Sequence, residues 1–286
     1  MRTYELLDLG RMGWQEAFRL QQQIVEERKR GEGCDRLLLV EHPHVVTMGR
    51  NASEKQVLAS PEILKRSGIQ FFETDRGGGA TYHGPGQIVG YPILDLRDWK
   101  RDVHVYFQAL EQFLIGALAT FGIDARRNPE KGHQGVWVGN AKIAAIGVHI
   151  SRWITSHGFA LNVENDLSYF QYIVPCGLSK PVCSLRSLGC AAPLEEVKRA
   201  LEASFAATFG YSDVGARGQG LGERSLALSR TTVAASISAR SFDGLQGKSS
   251  RLAWPPVARM EQGVASSRAA AVRERSEPAP AEGVTG

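Results

Sequence analysis

The sequence predicts an α+β fold, a mixed β-sheet with flanking helices, followed by a tail of low complexity. Helical periods occur near both ends of residues 1–210, short apolar runs of strand length lie between them, and the composition changes near Gly210. Strands in consecutive hairpins with helices at the ends are typical of this class. The 286 residues, 43% of them hydrophobic, are enough to bury a sizeable core.

Three helices are predicted from the spacing of apolar residues. Trp14, Phe18 and Val25, for example, recur at helical intervals. The predicted helices cover residues 13–30 and 103–121, and the third begins at Pro193, a residue favoured in a first helical turn.

Six short runs rich in apolar residues predict strands. They lie at residues 37–40, 71–74, 88–94, 136–138, 143–150 and 157–163. Gly139 and Asn140 join the fourth run to the fifth and form a common hairpin dipeptide. Pro92 places its end of the third strand at a sheet edge or a bulge, because proline cannot donate to a ladder.

The last 76 residues, 211–286, have a different composition. Ala, Gly and Ser account for 33 of them, and no sustained apolar period is visible. Such a segment cannot bury enough apolar surface to offset the entropy lost on ordering. We therefore expect residues 1–210 to form the folded domain and residues 211–286 to be a mostly disordered tail.

Net charge and hydropathy indicate which kinds of binding partner and which location to expect. The net charge of +4 and the isoelectric point of about 8.9 are mild, which does not favour nucleic-acid binding and is compatible with an acidic protein partner. No apolar stretch approaches the ~20 residues needed to cross a bilayer. Glu5 and Asp8 near the start do not fit a secretory signal. We expect a cytoplasmic protein that binds neither nucleic acid nor membrane.

The segment from Arg76 to Gln87 is dense in glycine and in groups that bind ligands. Five glycines in twelve positions allow close approach of the backbone to a ligand. Arg76 offers a fork of donors for a phosphate or carboxylate, and His83 can donate, accept or titrate near neutrality. A tight connecting loop is the plain alternative, but the embedded Arg, Tyr and His favour a binding loop.

Lys142 is predicted at the start of a strand, on the same face as Ala144, Ile146 and Val148. Burial on an apolar face disfavours the charged form of a lysine, so the residue could accept a proton. Small neighbours leave room for a chain beside the strand. An ordinary lysine at a hairpin rim is the alternative, and the residues alone favour it.

Cys176 lies between Pro175 and Gly177, which favour a turn that presents the sulfur to a cleft. A thiolate is the natural partner of a thioester substrate. A buried, inert cysteine is the alternative. Cys183 and Cys190 follow at intervals of seven, which does not match zinc-ligand spacing, and we expect them to pack as small hydrophobes.

Four motifs occur in one order: Arg-Gly-Gly with Thr-Tyr-His-Gly-Pro-Gly-Gln, Ala-Lys142-Ile with Ile-Gly147, His157-Gly-Phe-Ala-Leu-Asn162, and Pro175-Cys176-Gly177. Together they resemble the lipoate–protein ligase B family, the octanoyl-[acyl carrier protein]:protein octanoyltransferases, over roughly residues 1–210. The resemblance implies the biotin and lipoate protein ligase fold, an acyl-bearing Cys176 and an acid/base Lys142. It implies a substrate pocket formed by Arg76, Gly77, Gly78, Gly79, Ala80, Thr81, Tyr82, His83, Ala145, Ile146, Gly147, Gly158, Phe159 and Ala160.

The resemblance also implies an activity. Octanoyl-acyl carrier protein would donate its acyl group through a Cys176 thioester to a lysine of lipoyl domains, the first step of endogenous protein lipoylation. The implied acceptors are lipoyl domains of 2-oxoacid dehydrogenase complexes and the glycine cleavage H protein. No ATP, cofactor or metal is expected, because a thioester is already activated.

Three alternatives remain open on the residues. An ATP-dependent lipoate or biotin ligase would share the fold. A thioesterase using Cys176 with His83 or His157 would release a free acid. A non-catalytic protein would bind the acyl carrier and leave it unchanged.

Overall fold

The structure is a computed structural model that describes residues 2–128, 130, 134–173 and 180–219. Every described residue belongs to one compact unit, Met1–Thr232. The predicted nucleophile Cys176 and residues 220–286 of the predicted tail lie outside the described residues, so the predictions for them stay predictions.

The described elements follow one another as β1 (Arg2–Arg11), α1 (Trp14–Lys29), β2 (Asp35–Glu41), β3 (Val45–Met48), α2 (Pro61–Arg66), β4 (Gln70–Glu73), β5 (Ala80–His83), β6 (Gln87–Ile93), α3 (Val103–Ala119), β7 (Arg126–Arg127), β8 (Val136–Val138), β9 (Ala141–Ser151), β10 (Ile154–Asn162), α4 (Leu194–Phe209) and β11 (Tyr211–Gln219). The three predicted helices and six predicted strands are all present, with ends that differ by a few residues.

Two sheets organise these elements. Eight strands form a sheet in the order β11-β1-β2-β6-β10-β9-β8-β7, and three form a smaller sheet in the order β4-β3-β5. Strand β1 is parallel to β2 and β11, and β3 is parallel to β4, while the other neighbours are antiparallel. The predicted α+β fold with a mixed sheet is confirmed.

The large sheet is buried on both faces. Alternate side chains of its central strands pack into two hydrophobic cores, one on each face of the sheet. Leu37 and Leu39 of β2 pack with residues of α3 and α4, whereas Leu38 and Val40 pack with residues of α1. Strand β2 therefore reads as a continuous apolar run. No helix among the described residues is long and apolar enough to cross a lipid bilayer.

The expectation that Pro92 marks a sheet edge or a bulge is wrong, because β6 lies between β2 and β10 and neither ladder of β6 has a register shift. The ladder with β10 ends at the Gly90–Phe159 pair, before Pro92 is reached. Beyond that point the side chain of Thr155 takes over, since its hydroxyl donates to the Pro92 carbonyl at 2.7 Å and accepts from the Leu94 N–H at 2.9 Å. A side-chain bridge thus replaces the hydrogen bonds that the proline position lacks.

The structure places the first nine residues of the predicted tail, Tyr211–Gln219, in the sheet as the edge strand β11. Tyr211 is buried, and its hydroxyl donates to Asp35 at 2.7 Å. Arg2 donates to the same carboxylate at 2.9 Å. The composition of the segment gave no sign of this strand, because its pairing partner lies at the other end of the chain.

Candidate active site

The glycine-rich segment is a turn followed by a strand rather than one loop. Residues 80–83 form β5 of the small sheet, and the turn before them contacts strand β9 of the large sheet. The N–H of Gly77 donates to the Val148 carbonyl of β9 at 2.9 Å. A Cβ on Gly147 would lie 2.9 Å from the Gly77 carbonyl oxygen, so glycine at position 147 allows the turn to approach β9.

Arg76 holds this turn in place. Its Nη2 donates to the Thr47 carbonyl at 2.8 Å and to the Thr47 hydroxyl at 2.9 Å, and its Nη1 donates to the Gly77 carbonyl at 3.1 Å. The guanidinium is buried, and these bonds fix it to β3. The expected donor fork for a phosphate or carboxylate is therefore directed at the protein itself, although its positive charge remains beside the cavity described next.

A cavity lies between this turn, the start of α1 and strands β6, β9 and β10, with about 480 Å³ of empty space including its open mouth. Ten of the fourteen residues expected to bind substrate line it: Arg76, Gly78, Thr81, His83, Ala145, Ile146, Gly147, Gly158, Phe159 and Ala160. Gly77, Gly79, Ala80 and Tyr82 are not among the lining residues. Whether the lining residues bind substrate stays a prediction.

Sequence reasoning gave no cavity role to Trp14, Val89 and Tyr91, which also line the cavity. Their apolar periodicity indicated burial, which is correct, but periodicity does not say against what a residue is buried. His157 is a fourth lining residue, considered above only as the base of a thioesterase.

Small residues on neighbouring strands make the cavity wall. In the β9–β10 ladder Ala145 pairs with Ala160, and Gly147 pairs with Gly158. Directly opposed residues of neighbouring strands share a face of the sheet, so these four leave a groove. Its lining by alanine, glycine and aromatic side chains suits a hydrocarbon chain.

His157 ties the glycine-rich turn to β10. It is buried with a φ of 56°, a left-handed conformation that costs a non-glycine residue energy. Its Nε2 lies 2.8 Å from Asp75 Oδ1, at the entrance to the turn. Burial lowers the pKa of His157, and the hydrogen bond from His157 holds the pKa of Asp75 below its usual value. The hydrogen bond between His157 and Asp75 thus fixes the residue before Arg76 to strand β10.

His83 does not titrate near neutrality as its residue type suggested. Burial lowers its pKa to about 3, and its Nδ1 lies 2.8 Å from Gln87 Oε1. The imidazole is therefore neutral at the cavity wall, where it can accept or donate a hydrogen bond but holds no charge.

Strand β9 carries a one-residue register shift beside Lys142. Trp137 of β8 pairs with Lys142, whereas the preceding Val136 pairs with Ala144. Strand β9 thus contains one extra residue, Ile143, opposite a single step of β8, which is a β-bulge.

The bulge turns Lys142 to the other face of the sheet. Successive residues of a strand point to opposite faces, and directly opposed partners share a face. Because Trp137 and Val136 point to opposite faces, their partners Lys142 and Ala144 do so as well. The expectation that Lys142 shares a face with Ala144, Ile146 and Val148 is wrong.

Packing agrees with this assignment. Val136 and Ala144 belong to the core beneath α3 and α4, and Trp137 is in neither of the two described core clusters. Ala145 and Gly147, which follow the bulge on the face opposite Ala144, line the cavity. Lys142 therefore lies on the cavity face of β9, the face that carries Ala145 and Gly147, although Lys142 itself is not among the residues that line the cavity.

Lys142 is buried and held at its tip. It is 7% exposed, its Nζ donates to the Gln134 carbonyl at 3.0 Å, and its Nζ lies 4.9 Å from the centre of the Trp137 ring. An exposed lysine at a hairpin rim, the alternative that the residues alone favoured, is not what the structure has.

The backbone of Lys142 also contacts the segment that follows Cys176 in the sequence. Its N–H donates to the Pro181 carbonyl at 2.9 Å, and its carbonyl accepts from the Cys183 N–H at 3.0 Å. Cys176 itself lies outside the described residues. Pro181, five positions further along the chain, is therefore bonded to the backbone of the predicted acid/base residue.

The cysteines that the structure describes have no features of a nucleophile. Cys183 is buried in the core, where burial raises the pKa of its thiol to about 11. Burial also raises the pKa of Cys34, and Cys190 packs against the core. A thiol with a raised pKa forms little thiolate and reacts slowly.

Comparison with known proteins identifies the family. The model of the lipoyl protein ligase A/B catalytic domain matches residues 14–206. An octanoyltransferase of Solibacter usitatus is 58% identical over 211 residues, which cover 74% of this chain and 95% of the relative. An octanoyltransferase of Koribacter versatilis is 50% identical over 212 residues, which cover 72% of this chain and 84% of the relative.

Solved structures share the fold at low identity. Lipoate-protein ligase A bound with ATP has a TM-score of 0.63 and 21% identity, covering 84% of this chain and 97% of that one. A bipartite lipoate protein ligase from Thermoplasma acidophilum has a TM-score of 0.61 and 19% identity, covering 81% and 92%. The lipoate ligase fold is thereby confirmed, and the sequence relatives show that this chain belongs to the lipoate–protein ligase B family of octanoyltransferases.

Proposed function

We propose that this octanoyltransferase takes an octanoyl group from octanoyl-acyl carrier protein, carries it as a thioester on Cys176, and passes it to a lysine of a lipoyl domain. The observation that supports this best is the position of Lys142. It is buried on the cavity face of β9, and its backbone is bonded to residues 181–183, shortly after Cys176 in the sequence.

In the first half-reaction, Lys142 accepts the proton of the Cys176 thiol. The thiolate attacks the carbonyl carbon of the donor thioester, so that a new carbon–sulfur bond forms and the bond to the carrier sulfur breaks. The carrier leaves as a thiolate and takes the proton back from Lys142. The acyl group passes from one sulfur to another, and this exchange of a thioester with a thiol needs no ATP because the acyl group is already activated.

In the second half-reaction, the neutral amine of the acceptor lysine attacks the acyl carbon. A carbon–nitrogen bond forms and the bond to the Cys176 sulfur breaks. Lys142 takes the surplus proton from nitrogen and delivers it to sulfur, which restores the thiol. The Gln134 carbonyl, 3.0 Å away, and the Trp137 ring position Nζ before the reaction.

The groove of small residues would hold the acyl chain. Ala145, Gly147, Gly158 and Ala160 line it on two paired strands, and Trp14 closes it from α1. The reaction needs neither a cofactor nor a metal ion. The same proposal places the reaction in the cytoplasm. It names as acceptors the lipoyl domains of 2-oxoacid dehydrogenase complexes and the glycine cleavage H protein.

The alternatives fit the structure less well. A lipoate-protein ligase A bound with ATP shares the fold, so the fold alone does not separate the two activities, but the sequence relatives are octanoyltransferases. A thioesterase that relies on His83 or His157 would need that residue as a base, and burial lowers the pKa of both imidazoles, that of His83 to about 3. A non-catalytic carrier-binding protein would have no use for a buried lysine on the cavity face.

One experiment separates these activities. The purified protein is incubated with octanoyl-acyl carrier protein and a lipoyl domain without ATP, and all three proteins are weighed by mass spectrometry. Transfer predicts an octanoyl adduct on the lipoyl domain, and on Cys176 when the acceptor is omitted. A lipoyl domain whose target lysine is replaced by arginine is the matched control. Free octanoic acid without any adduct, or a strict need for ATP, would contradict the proposal.

A further inference from the structure

His83 is the last residue of β5 and presents one ring nitrogen to the cavity. The residue is 6% exposed and lines the cavity wall. Its Nδ1 lies 2.8 Å from Gln87 Oε1, whereas its Nε2 makes no hydrogen bond to the described residues. The Nε2 atom is not among the fully buried atoms without a partner in the described part of the chain, so it keeps some accessible surface. A ring nitrogen that lies at a cavity wall, keeps accessible surface and lacks a protein partner is available to a ligand.

Neighbouring hydrogen bonds determine which nitrogen of His83 carries the proton. The Cys183 carbonyl can only accept, so Asn162 must direct its Nδ2 at that carbonyl, at 3.0 Å, and its Oδ1 at Gln87. Gln87 then donates from Nε2, to Asn162 Oδ1 at 2.9 Å and to the Tyr82 carbonyl at 3.2 Å.

The consequence reaches the cavity. With its Nε2 committed to two acceptors, Gln87 has only Oε1 to offer His83, and Oε1 accepts. The proton of the imidazole therefore lies on Nδ1, and Nε2 presents a lone pair. The Cys183 carbonyl therefore determines, through the side-chain amides of Asn162 and Gln87, that His83 Nε2 is a hydrogen-bond acceptor at the cavity wall.

The charges around the cavity favour an uncharged hydrogen-bond donor as the partner of His83 Nε2. Arg76 places a positive charge beside His83, and the lining that the structure describes includes no carboxylate. A nearby positive charge disfavours an ammonium group and favours the neutral amine. Burial holds the pKa of His83 at about 3, so the ring itself stays neutral throughout the working pH range.

The groups brought by the reaction differ in what they can give to Nε2. The donor thioester carbonyl is an acceptor, and the octanoyl chain has no polar hydrogen. The acceptor lysine is a primary amine, which in its neutral form has two N–H donors and one lone pair. It is the one reacting group that both donates a strong hydrogen bond and must be uncharged to react.

We propose that His83 Nε2 accepts a hydrogen bond from the neutral amine of the acceptor lysine and orients its lone pair toward the acyl carbon. This proposal rests on the proposed transfer to a lysine and concerns its second half-reaction alone. When the carbon–nitrogen bond forms and the bond to sulfur breaks, the surplus proton passes from nitrogen to Lys142 and then to the Cys176 sulfur. His83 takes up no proton, while Gln87 and Asn162 position it.

Two substitutions test this because they differ in which ring nitrogen they imitate. The amide of His83→Asn lies near the position of Nδ1 and can still donate to Gln87, but it leaves nothing at Nε2. The amide of His83→Gln reaches the position of Nε2 and can accept there. Each half-reaction is measured alone: Cys176 acylation by octanoyl-acyl carrier protein, and transfer from isolated octanoyl-enzyme to a lipoyl domain.

His83→Asn is expected to transfer about 10- to 100-fold more slowly, the effect of losing one hydrogen bond to a reacting amine, and to lose clearly less of its acylation rate than of its transfer rate. His83→Gln should recover part of the transfer rate. Normal transfer by His83→Asn, or an equal slowing of acylation, would overturn the proposal. Failure of the wild-type enzyme to form or transfer the thioester would instead overturn the proposed function.

The tautomer can be tested without any substitution. In wild-type protein labelled with ¹⁵N-histidine, nitrogen chemical shifts distinguish a protonated ring nitrogen from an unprotonated one. We expect Nδ1 of His83 to be protonated and Nε2 unprotonated. A protonated Nε2 in the resting enzyme would contradict the proposal even if neither variant folded.

Discussion

Lys142 lies directly across the β8–β9 ladder from Trp137, with its Nζ 4.9 Å from the centre of the indole ring. This pairing exists because β9 contains one residue more than β8 at that point. The bulge moves Lys142 from the face that packs on α3 and α4 to the face that forms the cavity. A single extra residue in the ladder thus decides whether this lysine can take part in chemistry.

Lys142→Arg should keep the fold and slow both half-reactions. Arginine preserves the charge but cannot release its proton at a working pH. General acid–base catalysis is typically worth ~10²- to 10⁴-fold, and we expect losses in that range for Cys176 acylation and for transfer to the acceptor. Single-turnover rates measure both. The exposed Lys100, changed to arginine, is the matched control, and near-normal acylation by Lys142→Arg would exclude the acid/base role.

The wild-type pH profile offers an independent check on the same pair. If Lys142 and Cys176 exchange a proton, each ionisation belongs to the pair and not to one residue. The rate of acylation should therefore follow a macroscopic ionisation that changes when either residue is substituted. A profile that is unaltered in Lys142→Arg would contradict this coupling.

Cys176→Ala should abolish transfer, whereas Cys183→Ala and Cys190→Ser should retain it. The Cys183 thiol is buried in the core, and burial raises its pKa to about 11, so it forms little thiolate. Mass spectrometry of the enzyme after incubation with the donor alone locates the acyl group. An adduct on either of the other two cysteines, or ATP-free turnover by Cys176→Ala, would remove Cys176 as the nucleophile.

A chain that ends at Gln219 should melt cooperatively, and one that ends at Gly210 should melt at a lower temperature. The shorter chain loses β11, exposes the edge of β1, and removes the Tyr211 hydroxyl bonded to the buried Asp35. Tyr211→Phe in the full chain isolates that hydrogen bond and should cost about 1 kcal/mol of the free energy of unfolding. Equal melting temperatures for the two truncated chains would show that β11 contributes nothing.

Gly147→Ala should lower activity by moving the glycine-rich turn. Its Cβ would lie 2.9 Å from the Gly77 carbonyl oxygen, too close to be accommodated without a shift of that backbone. The turn forms part of the cavity wall, so acylation and transfer should both suffer. Gly13→Ala is the matched control, because a Cβ there meets nothing within 4 Å. Equal activity of the two variants would show that the turn tolerates displacement.

The local pattern of apolar residues was enough to predict those helices and strands that bury one face. The apolar spacing predicted α1, α3 and α4, and the short runs predicted six strands, because burial of a face leaves a period in the sequence. The four ordered motifs identified the family and brought ten lining residues of the cavity to attention. Strand β1 gave no comparable pattern, since it carries charged residues that pair with residues far along the chain, as Arg2 does with Asp35. Strand β11 was missed because its pairing partner, β1, lies at the other end of the chain.

The tertiary structure decided the features that depend on relations between elements. The β8–β9 register determines which face of the sheet Lys142 lies on. The side-chain amides of Gln87 and Asn162 determine which ring nitrogen of His83 carries the proton. Thr47 accepts hydrogen bonds from the Arg76 guanidinium that the sequence suggested for a ligand. Trp14 entered the cavity wall only because α1 packs over β6 and β10. Sequence periodicity reports that a side chain is buried, whereas its partners and its direction are fixed by strand register and hydrogen bonds between distant residues.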